Sequence, residues 1–301
     1  MEFLRPATWA EALAAKAEHP DALPIAGGTD VMVELNFDVK RPPFLLDLTR
    51  VTELADWAPD GGMLRVGAGV TYSRLISELG DQLPGLAMAS RTVGSPQIRN
   101  RGTVGGNLGS ASPAGDAHPP LLADSEAGAV VEAHSVRGTR FIPISEFYVG
   151  VKRSALEPDE LIAAYWLRPA AGPQQFSKIG TRNAMVISVT AFAIALHPAS
   201  RRVGTGFGSA APTPRRATEA EQFLSDELTA SGRWESRAEL DPAAVAQFGE
   251  LVAAAASPID DVRGTASYRR HALSVMAKRT LVWSWSDFRN ARPAPNSRRT
   301  A

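Results

Sequence analysis

Two short glycine pairs, each followed by a polar residue, are the stretches of this sequence best suited to chemistry. The first, Ala26-Gly27-Gly28-Thr29-Asp30, closes a short apolar run that begins at Leu23. The second, Thr103-Val104-Gly105-Gly106-Asn107, lies in a segment from Gln97 to Pro120 that is rich in glycine, small hydroxyl residues and proline. Glycine reaches positive φ at little steric cost, and successive N–H groups can then converge into a nest that favours anions. Two such loops can clamp a pyrophosphate from two sides, with backbone N–H groups as the main donors. Thr103 and Asn107 bracket the second pair with side-chain donors, and Asp116 follows after a proline-containing loop. No nucleophile stands beside either pair, so the pattern suits holding a phosphate and not breaking one. Either pair alone also suits an ordinary tight turn.

Composition narrows the chemistry further. The 301 residues include no cysteine. That excludes a disulfide, cysteine-ligated zinc, a thiolate-held iron–sulfur cluster and a thiol nucleophile within this chain. Five histidines (19, 118, 134, 197 and 271) are scattered without metal-ligand spacing. Asp116-x-His118 is the candidate pair, a spacing that equally suits an ordinary polar pair in a loop, and no metal is expected. Lys plus Arg and Asp plus Glu number 32 each, which gives no global attraction to nucleic acid or an anionic membrane. The N-terminus lacks the basic and then apolar run of a secretory signal, and no stretch resembles a membrane span, so a cytoplasmic location is expected. A prior of about 100–200 residues per domain suggests two or three domains.

The elements that must position the glycine pairs follow from local pattern. Thr8 can cap a helix carrying Trp9, Leu13 and Ala17 on one face. Thr29 or Asp30 can cap a second through Val31, Met32 and Leu35. Phe44–Leu48 is a buried strand, and Pro59-Asp60-Gly61-Gly62 is a hairpin turn between Leu54–Ala58 and Met63–Val66. Val66-Gly67-Ala68-Gly69-Val70 invites a dinucleotide-fold reading and fails it, because the third glycine of that fingerprint would fall at Tyr72. Thr71 instead caps a short helix through Leu75 and Leu79. A short helix is expected over Ala117–Ala123. Residues Ala127–Ala133 pair with Phe141–Ile144 across Arg137-Gly138, and Leu161–Leu167 is another apolar strand. Pro169–Pro173 is a linker of small residues and proline. Beyond it, strands are expected over Phe176–Gly180, Ile187–Leu196 and Val203–Ser209. Helices follow over Arg215–Ser225, Pro242–Ala256 and Thr265–Phe288, an α+β pattern. The alternating Gly204, Gly206 and Gly208 lie inside a strand and mark close backbone packing.

Ala26–Asp30, Thr103–Leu108 and Ser112-Pro113-Ala114-Gly115-Asp116, in that order, resemble the FAD-binding medium subunit of molybdenum hydroxylases, the family of carbon monoxide dehydrogenase and xanthine dehydrogenase. The resemblance continues through Asp159–Ile162, Phe176-Ser177-Lys178 and Tyr268-Arg269-Arg270, and spans nearly the whole chain. It implies an α+β fold: a two-subdomain PCMH-type FAD-binding domain over residues 1–172 (subdomains about 1–57 and 58–172), and a C-terminal α+β domain with an antiparallel sheet and helices over 173–290. Residues 291–301 would form a disordered tail. By motif matching, Ala26, Gly27, Gly28, Thr29 and Asp30, with Thr103, Val104, Gly105, Gly106 and Asn107, would hold the FAD pyrophosphate and adjacent atoms. Asp116 would accept from ribose hydroxyls, and Leu161 and Lys178 match positions beside the flavin. Lys178 also suits a surface lysine at a strand edge. Where many relatives carry an acidic residue, this chain has Val186.

The implied partners are a large molybdenum-cofactor subunit and a small [2Fe-2S] subunit, in a heterotrimer or a dimer of heterotrimers. The implied role is electron transfer: FAD is reduced by the iron–sulfur subunit and reoxidised by an external acceptor. A self-contained FAD-dependent oxidase or dehydrogenase of related fold, and a non-catalytic nucleotide-binding module, are the alternatives. The sequence nominates no base for the first of these. It names neither the organic substrate of the complex nor the acceptor.

Overall fold

The computed structural model describes residues 1–124 and 128–291. Its N-terminal part begins with β1 (Glu2–Leu4), α1 (Trp9–Glu18), β2 (Leu23–Ile25), α2 (Val31–Asn36) and β3 (Phe44–Asp47). These three strands form a parallel sheet in the order β1-β3-β2. Thr8 caps α1 as its spacing predicts, its Oγ1 accepting from the Glu11 N–H. Asp30 is the residue that caps α2, without a side-chain bond.

A second sheet follows, built on β4 (Trp57–Asp60), β5 (Met63–Gly67), β6 (Val130–Ser135), β7 (Gly138–Pro143) and β10 (Leu161–Leu167), in the order β4-β5-β10-β6-β7. All its pairings are antiparallel. Gly61 and Gly62 turn the first hairpin with positive φ at both positions, the geometry that suits a two-residue turn between twisted strands. Strand β10 runs between two neighbours and is buried at every position but Trp166, which explains its unbroken apolar sequence. A bulge between Ile162 and Ala164 turns the Ala163 carbonyl towards the Ala68 N–H, 2.9 Å away.

Five helices lie between β5 and β6: α3 (Tyr72–Glu78), α4 (Pro84–Arg91), α5 (Pro96–Arg99), α6 (Val104–Ser110) and α7 (His118–Ala123). The sequence reading placed only α3 and α7, and treated the stretch containing α5 and α6 as a loop. Each of these two missed helices has an N-cap hydroxyl, from Ser95 and Thr103. Glycine in a helix interior costs about 1 kcal/mol, so packing must hold the Gly105-Gly106 turn helical. Between β7 and β10 lie α8 (Ile144–Phe147) and the small hairpin of β8 (Tyr148–Gly150) and β9 (Arg153–Ser154).

The C-terminal part is an antiparallel sheet of β11 (Gln174–Ile179), β12 (Thr190–His197) and β13 (Arg202–Gly208). Its helices are α9 (Thr218–Ala230), α10 (Arg233–Ser236), α11 (Pro242–Ala254) and α12 (Ala266–Asn290). The expected start of α9 at Arg215 is corrected: Arg215 forms a bridge with Phe207, and the helix begins at Thr218. The sheet is sorted by side-chain size with the period of two that a strand imposes. Phe192, Ile194, Leu196, Val203 and Phe207 face the long helices. Ala191, Ala193 and Ala195 cluster with Ala89 of α4 and Ala123 of α7.

On β13 the same small face is made of glycines. A Cβ at Gly204 would lie 2.0 Å from the Ala123 carbonyl oxygen, and one at Gly206 would lie 2.0 Å from that of Pro119. This is the close backbone packing that the alternating glycines imply. Arg269, from the Tyr268-Arg269-Arg270 motif, is buried and donates to the carbonyls of Val189 and Ser209 and to Asp261, tying β12 and β13 to the loop before α12. No helix among the described residues is long and apolar enough to cross a membrane. Apart from Ala291, the expected tail lies outside the described residues.

Candidate functional site

The two glycine loops meet. Gly28 takes φ +74° in the turn after β2, so only glycine adopts it without strain. A Cβ on Gly27 would sit 2.0 Å from the Arg101 carbonyl oxygen and 2.9 Å from the Gly102 nitrogen. The first loop therefore rests directly on the backbone that leads into the second. Across that backbone, Thr103 bridges Thr71, and the Tyr72 N–H donates to the Gly102 carbonyl at 2.9 Å. Ala26 and Thr29 are half-buried, and Asp30 is exposed.

The second pair does not take the positive φ expected of it. Gly105 and Gly106 form the first turn of α6, where Thr103 Oγ1 accepts from the Gly106 N–H at 2.8 Å. Their reasons for being glycine differ. A Cβ on Gly105 would come within 2.5 Å of the Ala68 carbonyl oxygen and 2.6 Å of its Cα. A Cβ on Gly106 would meet only Thr103 Oγ1, at 3.2 Å. Gly105 is thus fixed by this chain's own backbone, whereas Gly106 is met only by one side-chain hydroxyl. Thr103 and Asn107 also hold the chain itself, their oxygens acting as acceptors. Asn107 Oδ1 accepts from the Ala117 N–H at 3.3 Å and so anchors the loop that carries Asp116.

Asp116 and Lys178 are brought together from opposite ends of the fold. On β11, Ser177 points to Thr280 of α12, so Phe176 and Lys178 face the other way, towards α4 and α7. Lys178 is no surface residue: its Nζ lies 2.5 Å from Asp116 Oδ2, and both side chains are less than a tenth exposed. Lys178 also donates to the Thr92 carbonyl that caps α4, a helix end where a cation is favoured. Thr92 Oγ1 gives Asp116 Oδ2 a second donor at 3.2 Å. Burial pushes the Asp116 carboxyl up, and the ammonium of Lys178 opposes that push. Asp116 Oδ1 is buried with no hydrogen-bond partner.

His118 is fully buried beneath the same loop, its Nδ1 2.7 Å from the Tyr148 hydroxyl. Desolvation lowers its pKa to about 3, so it is neutral at physiological pH. Leu161 opens β10 opposite His134 and belongs to the core that contains Leu108 of α6 and Ile162. It sits behind α6 rather than in the glycine loops. Val186 lies in the loop after β11, lining an open cleft of about 400 Å³ with Arg182, Met185 and Arg263.

Sequence reasoning missed three contributors. The Gly67–Val70 segment, set aside as a failed fingerprint, is the shelf against which Gly105 packs. Tyr72 packs its ring under Gly102. Thr92 holds both members of the buried pair. Only the first carried a visible signal, its run of small residues.

The chain matches two family models: the FAD-binding domain in molybdopterin dehydrogenase over residues 1–166, and the CO dehydrogenase flavoprotein C-terminal domain over residues 175–284. It is 33% identical to the xanthine dehydrogenase FAD-binding subunit of Escherichia coli O157:H7 over 295 residues, covering 93% of this chain and 94% of the relative. It is 27% identical to the carbon monoxide dehydrogenase medium chain of Hydrogenophaga pseudoflava, covering 95% and 97%. A solved structure of carbon monoxide dehydrogenase from the same organism superposes with a TM-score of 0.86 at 26% identity, covering 96% of this chain and 98% of that one.

The chain belongs to the FAD-binding subunits of the molybdenum hydroxylase family, and its cofactor is FAD. Its residues fit that group. Two loops are held together by backbone contacts that only glycine permits, a Cβ on Gly106 would meet no backbone and only the Thr103 hydroxyl, and a buried carboxylate oxygen lacks a partner.

Proposed function

We propose that this chain is the electron-transfer flavoprotein subunit of a molybdenum hydroxylase. It would hold FAD between a [2Fe-2S] subunit that donates electrons and an external acceptor. When bound, the flavin supplies one- and two-electron chemistry, and the protein supplies placement and electrostatics. The observation that carries this reading is the seating of Gly27 on Arg101–Gly102, beside a Gly106 that no backbone crowds. We assign the pyrophosphate to Ala26–Asp30 and to the first turn of α6, through Thr103, Val104, Gly105, Gly106 and Asn107. The Gly106 N–H is taken by Thr103 Oγ1, and the N–H groups of Val104 and Gly105 before it have no intrahelical acceptor.

Asp116, with its unpartnered Oδ1, would accept a hydroxyl of the cofactor, and Lys178 would hold that carboxylate ionised. Leu161 would support the flavin side through α6. Residues 1–172 would be the cofactor domain, with subdomains about 1–57 and 58–172, and 173–290 the C-terminal domain. The partners would be the molybdenum-cofactor and iron–sulfur subunits, in a cytoplasmic heterotrimer or a dimer of heterotrimers.

The state of the buried groups favours this role over a self-contained oxidase. Substrate oxidation needs a base poised to take a proton. Here Asp116 is ion-paired and His118 is sealed against Tyr148. The test follows flavin absorbance anaerobically when the organic substrate is added to the FAD-loaded chain, alone and with both partner subunits. Bleaching in the complex alone is expected. Rapid bleaching of the isolated chain would overturn the relay role.

A further inference from the structure

We propose that Arg101 supplies the cation that balances the cofactor's pyrophosphate; this rests on the assignment of the glycine loops to FAD. A pyrophosphate brings two negative charges, and backbone N–H groups answer them only with partial charge. The segments that form the cradle are 26–30, 67–71, 99–107 and 112–116. Their acids are Asp30, which is exposed, and Asp116, which is matched by Lys178. Their bases are Arg99 and Arg101. Arg99 has its guanidinium bonded to the carbonyls of Val93 and Gly94, at 2.9 and 3.2 Å. Arg101 is exposed, and its guanidinium has no partner among the described residues.

Its place in the fold is specific. The Arg101 carbonyl is the atom on which Gly27 rests, and two residues later Thr103 caps α6. The side chain therefore starts where the two glycine loops touch, within its own length of any anion they hold. A guanidinium matches phosphate oxygens with two parallel N–H donors, which an ammonium does not. Without Arg101, these segments would offer a dianion no uncommitted cation.

The test measures binding rather than turnover. The full chain, stripped of flavin, is titrated with FAD and with riboflavin at low and high salt, as wild type, Arg101→Gln, Arg101→Lys and Gly106→Val. Arg101→Gln should weaken FAD binding about ten-fold or more at low salt and flatten its salt dependence. Arg101→Lys should keep the salt dependence and recover part of the affinity. Riboflavin, which lacks the pyrophosphate, should bind wild type and Arg101→Gln alike. If Arg101→Gln binds FAD as wild type does while Gly106→Val does not, the role of Arg101 falls and the site stands. If Gly106→Val also binds as wild type, the loops themselves are misassigned. Equal loss of FAD and riboflavin in Arg101→Gln would mean a structural role and overturn the inference.

Discussion

At the cofactor cradle, Gly27 and Gly105 press against the backbones of Arg101 and Ala68. At β13, Gly204 and Gly206 press as closely against the carbonyls of Ala123 and Pro119. The steric demand is the same, since a Cβ in any of these four places would overlap main-chain atoms. The outcome differs. At β13 the close approach is complete in itself and joins the C-terminal sheet to α7. At the cradle Gly106 is met by no backbone, only by the Thr103 hydroxyl, and the same segments carry a buried carboxylate and an unpaired arginine. Close glycine packing is therefore common to both and identifies neither. What marks the ligand site is a glycine that no backbone crowds, Gly106, in the same segments as the orphaned carboxylate oxygen of Asp116.

The comparison breaks most visibly at the seam. Gly206→Val forces side-chain atoms into the Pro119 carbonyl and should destabilise the apoprotein by about 3 kcal/mol or more. Chemical denaturation in the absence of flavin measures this, and an unchanged midpoint would mean that β13 and α7 are not tightly joined. Gly106→Val should do the opposite. The apoprotein should lose less than about 1 kcal/mol, because valine is no worse than glycine in a helix. FAD affinity should fall by roughly 100-fold or more, about 2.7 kcal/mol, as the side chain enters the ligand's space. A flavin titration and a melt on the same sample separate the two effects.

The two regions should also respond to pH with opposite sign. Asp124, at the end of α7 beside the seam, is raised by burial to about 7, with Arg168 opposing the shift. An acid raised on folding contributes stability that is fully present below about pH 4 and is lost as pH rises through 7. His118, under the cradle loop, is lowered by burial to about 3. A base lowered on folding contributes stability that is present above about 6.5 and is lost as pH falls through 3. Asp124→Asn should flatten stability between pH 4 and 7, and His118→Phe should flatten it between pH 6 and 4, each by roughly 1–3 kcal/mol. Denaturation midpoints across pH check both. Unchanged slopes would place these groups' titration elsewhere in the chain. The neutralisation of Arg101, with its ten-fold effect, is the finest probe, since it alters charge at the cradle and leaves packing alone.

Much of the fold was legible because its signals are local. The β4–β5 turn follows from two adjacent glycines, and α1, α3 and α12 follow from the hydroxyl residues Thr8, Thr71 and Thr265 that cap them. Strand β10 follows from an unbroken apolar run. Helix α6 was hidden by the same logic: three glycines within five residues outweigh a single capping threonine in any local reading. Its helical turn is held by the contact between Gly105 and Ala68, which no window around α6 contains.

The sequence by itself determined that the chain carries no thiolate chemistry, that it has two glycine loops able to hold a phosphate, and that an antiparallel C-terminal sheet is followed by long helices. Those properties depend on residue type and near neighbours. Only the tertiary structure decided which glycine is open and which is packed, that the seam glycines serve the fold, and that Lys178 is spent on Asp116 while Arg101 is not. Burial and pairing arise where distant segments meet, and the energy of such contacts is set by packing across the fold rather than by the order of residues along it.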